Sequence, residues 1–200
     1  MRLKLHYIQK NKNKKFGMVI LESAPQMRTL FTYGNKGRAC LPFPYLIHII
    51  CYSMQNGKFI YGGVEKSGLR VFLRNSPLNT IDDVVFISPT DAENYGLVCT
   101  PHDFDHSEYD TLPELINKVI TIWWNATHYI KNVNSWLDLS LEQAVKNNWG
   151  DFTISEWDDD DLFAPLPLLD ALKRTEKSGY GRNNFYPENS VLVDKIWTSK

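Results

Sequence analysis

Short apolar runs separated by polar turns dominate the first half of the chain, a pattern typical of antiparallel strands. Two such runs, residues 3–8 and 16–23, flank a lysine-rich turn and predict a hairpin. Residues 45–52 are almost continuously apolar, which predicts a strand that is buried on both faces. The turn sequence at 55–58, Gln-Asn-Gly-Lys, should reverse the chain into a returning strand, and residues 69–75 should add a third strand.

Helical spacing replaces this pattern from Leu112 onward. Large apolar residues recur every three or four positions, which predicts one amphipathic helix with a single face on the sheet. These residues are Leu115, Ile116, Val119, Ile120 and Trp123. Asp110 or Thr111 is the expected N-cap, and the helix is expected to continue to about Tyr129.

The order of elements, strands first and helices afterwards, predicts an α+β fold with an antiparallel meander packed against one long helix. We expect residues 1–131 to form this core, including the N-terminal hairpin. Residues 132–200 should form a C-terminal extension packed on the core, mostly helical or loop, with short helices over 140–147 and 168–177. The sequence contains no apolar run of membrane-spanning length and no signal-peptide pattern, so a cytoplasmic protein without membrane contact is expected.

Charge narrows the classes of partner. The formal net charge of −1 argues against a dedicated nucleic-acid binder, because such proteins usually carry a clear basic excess. The charges are unevenly placed: residues 1–15 hold six Lys or Arg and no acid, and residues 151–161 hold six acids and no base. Both are interpreted as solvated segments, with contact to an oppositely charged protein as the alternative. The four carboxylates of Asp158–Asp161 lack the spacing of a calcium loop, so no metal and no cofactor is predicted.

Cysteine chemistry supplies the candidate site. The three cysteines are few and odd in number, which fits a reducing compartment, and Cys51 lies inside the apolar strand as a core residue. Cys99 ends a short apolar run, and His102 and His106 follow it. Three interpretations stay open for Cys99: a packing residue at a strand end, a reactive thiol, or a zinc ligand together with these histidines and Asp103 or Asp105. No second pair of ligands supports the zinc site.

The order of these features resembles the ubiquitin-conjugating enzymes, and in particular their divergent bacterial relatives such as protein B of the PRTRC plasmid systems. Strands lead through the crossover at 74–89 to the sequence Glu-Asn-Tyr-Gly-Leu-Val-Cys at 93–99, and a helix rich in large apolar residues follows. Gly96 stands three residues before Cys99, which is the family's spacing between glycine and catalytic cysteine. The resemblance covers roughly residues 38 to 130.

The resemblance implies a catalytic role for four residues. Cys99 would accept a thioester from an activating enzyme and pass a ubiquitin-like protein to an amine, while His102 or Asp103 would orient or deprotonate that amine. The family's oxyanion-stabilising asparagine falls at Asp91 in an ungapped match, and a carboxylate there repels the developing negative charge. Asn94 is therefore the candidate for that role.

The alternative is a non-catalytic interaction or structural module with the same fold, encoded by a phage or plasmid. In that case the aromatic helix, the acidic segment and the basic hairpin would contact a partner protein. The fast, selective reaction of Cys99 with an alkylating agent would favour the enzyme, and its inertness would favour the module.

Overall fold

The computed structural model describes residues 2–10, 16–32, 37–62, 68–80, 82–87, 107–128, 166–168 and 190–198. Within these residues, twelve strands and one helix form a mainly antiparallel α+β arrangement, as predicted from the order of elements. The elements are β1 (Arg2–Lys10), β2 (Phe16–Ser23), β3 (Gln26–Thr32), β4 (Gly37–Phe43), β5 (Tyr45–Gln55), β6 (Lys58–Tyr61), β7 (Leu69–Arg74), β8 (Val84–Ile87), β9 (Glu108–Tyr109), α1 (Leu112–Asn125), β10 (Thr127–His128), β11 (Leu166–Pro167) and β12 (Ser190–Thr198).

One sheet organises the described residues. Its strands follow the order β11-β8-β7-β5-β2-β1-β12, with β6 paired to β5 and β9 paired to β6. All of these pairings are antiparallel. The hairpin β3–β4, inserted between β2 and β5, forms a second sheet with the short parallel strand β10. The predicted antiparallel sheet is therefore confirmed, and the β3–β4 hairpin is an element that the apolar pattern did not predict.

Strand β5 is the centre of the main sheet, and it is buried on both faces as its apolar run predicted. Successive side chains of a strand point to opposite faces, and alternate residues such as Leu46 and Ile50 belong to the core cluster that includes α1. On the opposite face, Ile47, Ile49 and Cys51 are also buried. A strand without a polar face is stable only where other residues cover both of its faces. β5 must therefore lie inside the sheet rather than at its edge.

Helix α1 packs on the first of these faces with the residues that its periodicity predicted. Thr111 is the N-cap: its hydroxyl accepts a hydrogen bond from the Glu114 N–H at 3.3 Å, and the Glu114 carboxylate accepts one from the Thr111 N–H at 3.1 Å. This reciprocal pair satisfies two backbone donors at the start of the helix. At the other end, Trp123 and Trp124 stand edge-on to Phe43, with ring centroids 6.4 and 5.2 Å away.

The helix ends earlier than predicted. It stops at Asn125 instead of continuing to about Tyr129, and the Ala126 N–H closes it by donating to the Ile122 carbonyl at 2.9 Å. The reason is tertiary, because Thr127 and His128 pair with Phe31 and Thr32 of β3 as strand β10. The placement of His128 in a helix was therefore wrong.

The described part of residues 132–200 consists almost entirely of strands. β12 runs along β1 in the main sheet, from Thr198 opposite Arg2 to Ser190 opposite Gln9, and β11 pairs with β8 at the other edge. Both edges of the sheet thus receive a strand from this region. The helix predicted over 140–147 lies outside the described residues, and only the first residue of the one predicted over 168–177 lies within them.

Buried charges attach the crossover between β7 and β8 to the sheet. Arg74, on the last position of β7, donates to the Val84 carbonyl at 2.8 Å and lies 3.1 Å from the Asp83 carboxylate. Asp83 also accepts from the N–H groups of Asn79 and Thr80. Glu22 of β2 accepts from the N–H of Leu78, which is buried. These groups compensate one another, as buried charges must.

Two glycines lie close together where the chain passes from β6 to β7. The Cys51 N–H donates to the Gly68 carbonyl at 2.7 Å, and the Gly62 N–H donates to the Cys51 carbonyl at 3.1 Å. The backbones of Gly62 and Gly68 come so close that a Cβ built on Gly68 would lie 2.7 Å from the Gly62 Cα. Only glycine fits at position 68 without displacing backbone.

We expect the Gly68→Ala variant to lose about 2 kcal/mol of unfolding free energy, since overpacking against backbone typically costs about 1–3 kcal/mol. The matched control is Gly57→Asn in the turn between β5 and β6. Gly57 has a φ of 79° with open space around it, and asparagine tolerates this conformation. Urea unfolding of both variants measures the difference. Equal stability of the two variants would contradict the close approach at Gly68.

Candidate functional site

The residues with a predicted catalytic role, Cys99, Asn94, His102 and Asp103, all lie outside the described residues. The same holds for Asp91, for the alternative ligand His106 and for the acidic segment 151–161. The structure does describe the two elements between which Cys99 lies in the chain. These are β8, which ends at Ile87, and β9, which begins at Glu108 directly before the helix.

Strands β8 and β9 follow one another in a single strand position of the sheet, which we call a row. This row is the second position from β5, and both strands lie on the same side of β5. Ile87 pairs with Phe72, which pairs with Ile47 of β5, so Ile87 is level with Ile47. By the same construction through β6, Glu108 is level with Ser53. A straight strand would cover this separation of about 20 Å with six residues, at about 3.3 Å per residue. The chain uses twenty residues, 88–107, for the same step.

Gly62 and Gly68 lie at this level too. Both are hydrogen-bonded to Cys51, and the gap between β8 and β9 covers the levels of residues 48 to 52 of β5. The chain therefore passes from β6 to β7 in the row next to the gap that residues 88–107 bridge. Long connections carried by a fixed sheet are a common location of binding and catalytic residues, and this region is the candidate functional site.

The downstream end of the site is fixed by side chains as well as by backbone pairing. Tyr109 pairs with Phe59 of β6, and the neighbouring Asp110 forms an ion pair with Lys58 on the same strand. The hydrogen bond to the Asp110 side chain is the main reason why the pKa of Lys58 is raised. The capping box at Thr111 comes next in the chain. The direction of the backbone is therefore fixed from Glu108 to the start of the helix.

The upstream end is held by the buried charges described above. The Arg74 guanidinium bonds the carbonyl of Val84, the first residue of β8, and the Leu168 N–H donates to the Asp83 carbonyl at 2.9 Å. Partial burial, the largest single effect, raises the pKa of Asp83. Hydrogen bonds from Asn79 and Thr80, together with the charge of Arg74, outweigh it and lower the pKa below its usual range. Sequence reasoning missed this set of residues. Its signal was an arginine at the end of an apolar strand followed by two aspartates.

The two described cysteines have different surroundings. Cys51 is buried, and burial raises the pKa of its thiol, with the neighbouring Arg70 acting in the opposite direction. A protonated, covered thiol is a poor nucleophile, so the prediction that Cys51 is a core residue is confirmed. Cys40 is exposed on β4, in the second sheet.

Ser23 and His48 form the one described pair that resembles a hydrolytic dyad, with the Ser23 hydroxyl oxygen 3.0 Å from the His48 Nε2. Both residues have no exposed surface, and the imidazole packs edge-on against Trp123 at 5.2 Å between ring centroids. Substrate cannot reach such a pair. His48 therefore packs in the core rather than taking part in a reaction.

Within the part of the chain that the structure describes, no three His, Cys, Asp or Glu side chains are arranged to hold a metal ion. The described helix, α1, lacks the length and apolar character needed to cross a membrane.

Comparisons with protein-family models, with curated proteins and with solved structures find no match for this chain.

The buried imidazole predicts a pH dependence of stability. Burial lowers the pKa of His48 from 6.5 to about 3, so between these values the unfolded chain binds a proton that the folded chain excludes. Stability therefore falls as pH drops below 6.5. Urea unfolding at pH 7 and pH 5 should show that the wild type loses about 2 kcal/mol more unfolding free energy than His48→Gln does. This difference is expected because a proton bound only by the unfolded chain costs about 1.4 kcal/mol per pH unit below 6.5. Parallel losses in the two proteins would show that His48 is not buried in its neutral form.

Proposed function

We propose that this protein is a divergent ubiquitin-conjugating-enzyme-like protein in which Cys99 carries a thioester. One structural feature supports this function: the segment that contains Cys99 connects a strand of an antiparallel sheet to a capped helix packed on that sheet. The conjugating enzymes carry their cysteine in the connection between sheet and helix, and the spacing of Gly96 and Cys99 matches theirs.

The chemistry requires two acyl transfers at one sulfur. The Cys99 thiolate attacks the carbonyl carbon of a ubiquitin-like protein held as a thioester on an activating enzyme, and the enzyme's cysteine leaves as a thiolate that takes up a proton. A lysine amine of the substrate then attacks the same carbon, the C–N bond forms, and the Cys99 thiolate leaves. His102 or Asp103 would take the proton that the amine loses.

The residue that stabilises the tetrahedral oxyanion departs from the family's pattern. Asp91 stands at the family's asparagine position, and a carboxylate close to an oxyanion raises the energy of the transition state. Asn94 can donate an amide N–H, so the proposal assigns the role to Asn94. Replacement of Asn94 by Ala should therefore lower the rate at which the Cys99 thioester passes its acyl group to an amine.

The described cysteines make the proposal testable without knowledge of the natural partners. Cys51 is buried and reports whether the protein is folded, since its thiol should react only after unfolding. Cys40 is exposed and provides the reactivity of an accessible thiol in the same molecule. The reaction rate of the Cys99 thiol is therefore compared with the rates of the Cys51 and Cys40 thiols.

We expect a short peptide thioester at neutral pH to acylate Cys99 about threefold faster than Cys40. A thiol pKa lowered by about one unit yields nearly tenfold more thiolate, and the nucleophilicity of that thiolate falls by about threefold. Mass spectrometry of proteolytic fragments locates the acyl group, and hydroxylamine should remove it. Cys99→Ser should abolish the fast phase, whereas Cys40→Ser should leave it unchanged. Acylation of Cys40 at a rate equal to that of Cys99 would exclude the proposed thioester function.

The second candidate is the non-catalytic interaction module encoded by a phage or plasmid, which one specific observation favours. Met27 and Phe31 on strand β3 keep 47% and 41% of their surface exposed, and exposed large apolar side chains on one face are typical of protein contact sites. In this case Cys99 would react no faster than Cys40, and variants of β3 would weaken binding of a partner.

A further inference from the structure

One face of the β3–β4 hairpin combines exposed apolar and cationic side chains. Alternation along β3 places Met27, Thr29 and Phe31 on this face, and all three are exposed. The register of the hairpin pairs Phe31 with Arg38 and Thr29 with Cys40, which are exposed as well. We call these five residues the hairpin face.

The opposite face of the hairpin attaches it firmly to the core. Leu30, Leu41 and Phe43 are fully buried in the cluster that includes the helix. Arg28 lies over the Trp124 ring at 4.8 Å, and its Nε donates to the Gln26 side chain at 2.8 Å. The hairpin face is therefore a platform on a packed element, and binding to it carries a small ordering cost.

The charge of the hairpin has one sign. Residues 26–43 contain two arginines and one lysine and no Asp or Glu. The Arg38 guanidinium lies over the Phe31 ring, 4.9 Å from its centroid, and no carboxylate of the described residues forms an ion pair with it. Stacking on the ring orients the guanidinium while its N–H donors stay available.

We propose that the hairpin face binds an acidic segment of a partner protein that carries apolar side chains. A guanidinium already placed by Phe31 offers paired donors that match a carboxylate. Met27 and Phe31 supply the apolar contact, and methionine, aromatic residues and arginine are the types enriched at the centres of protein interfaces.

A protein segment fits this face better than nucleic acid does. The hairpin face itself carries one cation among apolar and hydroxyl side chains, and the whole chain has a net charge of −1. Nucleic-acid affinity depends on several phosphate contacts from a basic surface. The proposed contact uses no chemistry at Cys99, so it can fail or succeed independently of the thioester function.

The test uses fluorescence anisotropy with the full-length protein and a short labelled peptide that alternates glutamate with leucine and phenylalanine. The same peptide with lysine in place of glutamate is the matched probe for charge, and a labelled oligothymidine is the probe for nucleic acid. We expect saturable binding of the glutamate peptide only. Alkylation of the exposed Cys40 provides a second readout, because a peptide on the hairpin face should slow it.

Two pairs of variants locate the contact. Phe31→Ser and Arg38→Glu should each weaken binding of the glutamate peptide by about tenfold or more, as expected for central interface residues. Val84→Ser and Lys118→Glu are the controls, since Val84 is 44% exposed on β8 and Lys118 is exposed on the helix. Neither control should change the affinity. Arg38→Lys should retain part of the binding, because the charge remains and the planar donor pair is lost.

Three results would overturn the proposal. The first is failure of the glutamate peptide to bind under conditions in which the protein is folded. A lack of reaction of Cys51 with the alkylating agent shows that the protein is folded. The second is equal loss of binding in the control variants and in the hairpin variants. The third is preference for the oligothymidine, which would make the hairpin face a nucleic-acid contact.

Discussion

The complete burial of β5 is the constraint on which the rest of the structure depends. The strand is buried from Leu46 to Ser53 and pairs with β2 on one side and with β6 and β7 on the other. With no polar face, it requires a neighbour on each edge and a cover on each side. The helix supplies the cover on one side through the buried residues of its amphipathic face.

The candidate site follows from how the strands divide along β5. Because β5 is long, β6 and β7 share one row beside it, and β9 and β8 share the next row. The chain passes from β6 to β7 at about the level of Cys51, where Gly62 and Gly68 are hydrogen-bonded to it. The gap between β8 and β9, which the Cys99 segment bridges, lies in the next row at the levels of residues 48 to 52. Ion pairs at Arg74 and Lys58 then hold the two ends of that segment.

Much of this arrangement follows from periodicity. The continuous apolar run of β5, the turn with positive φ at Asn56 and Gly57, and the helix face from Leu115 to Trp123 were all predicted, since each depends on side chains close in sequence. The β3–β4 hairpin was missed, because its apolar positions face two different environments. Arg70 and Arg74 show the same limit: their charge suggests solvent, whereas the fold buries both within the sheet.

Function divides in the same way. The sequence alone determined the chemical candidates, since Cys99, Asn94, His102 and Asp103 were identified by residue type, spacing and a family resemblance. Tertiary structure decided which other groups are excluded: it buries Cys51 and the Ser23–His48 pair, and it exposes Met27, Phe31 and Arg38 on one face. It also decided that the helix stops at Asn125, because pairing with β3 takes Thr127 and His128. Burial and pairing depend on residues distant in sequence, so no local pattern contains them.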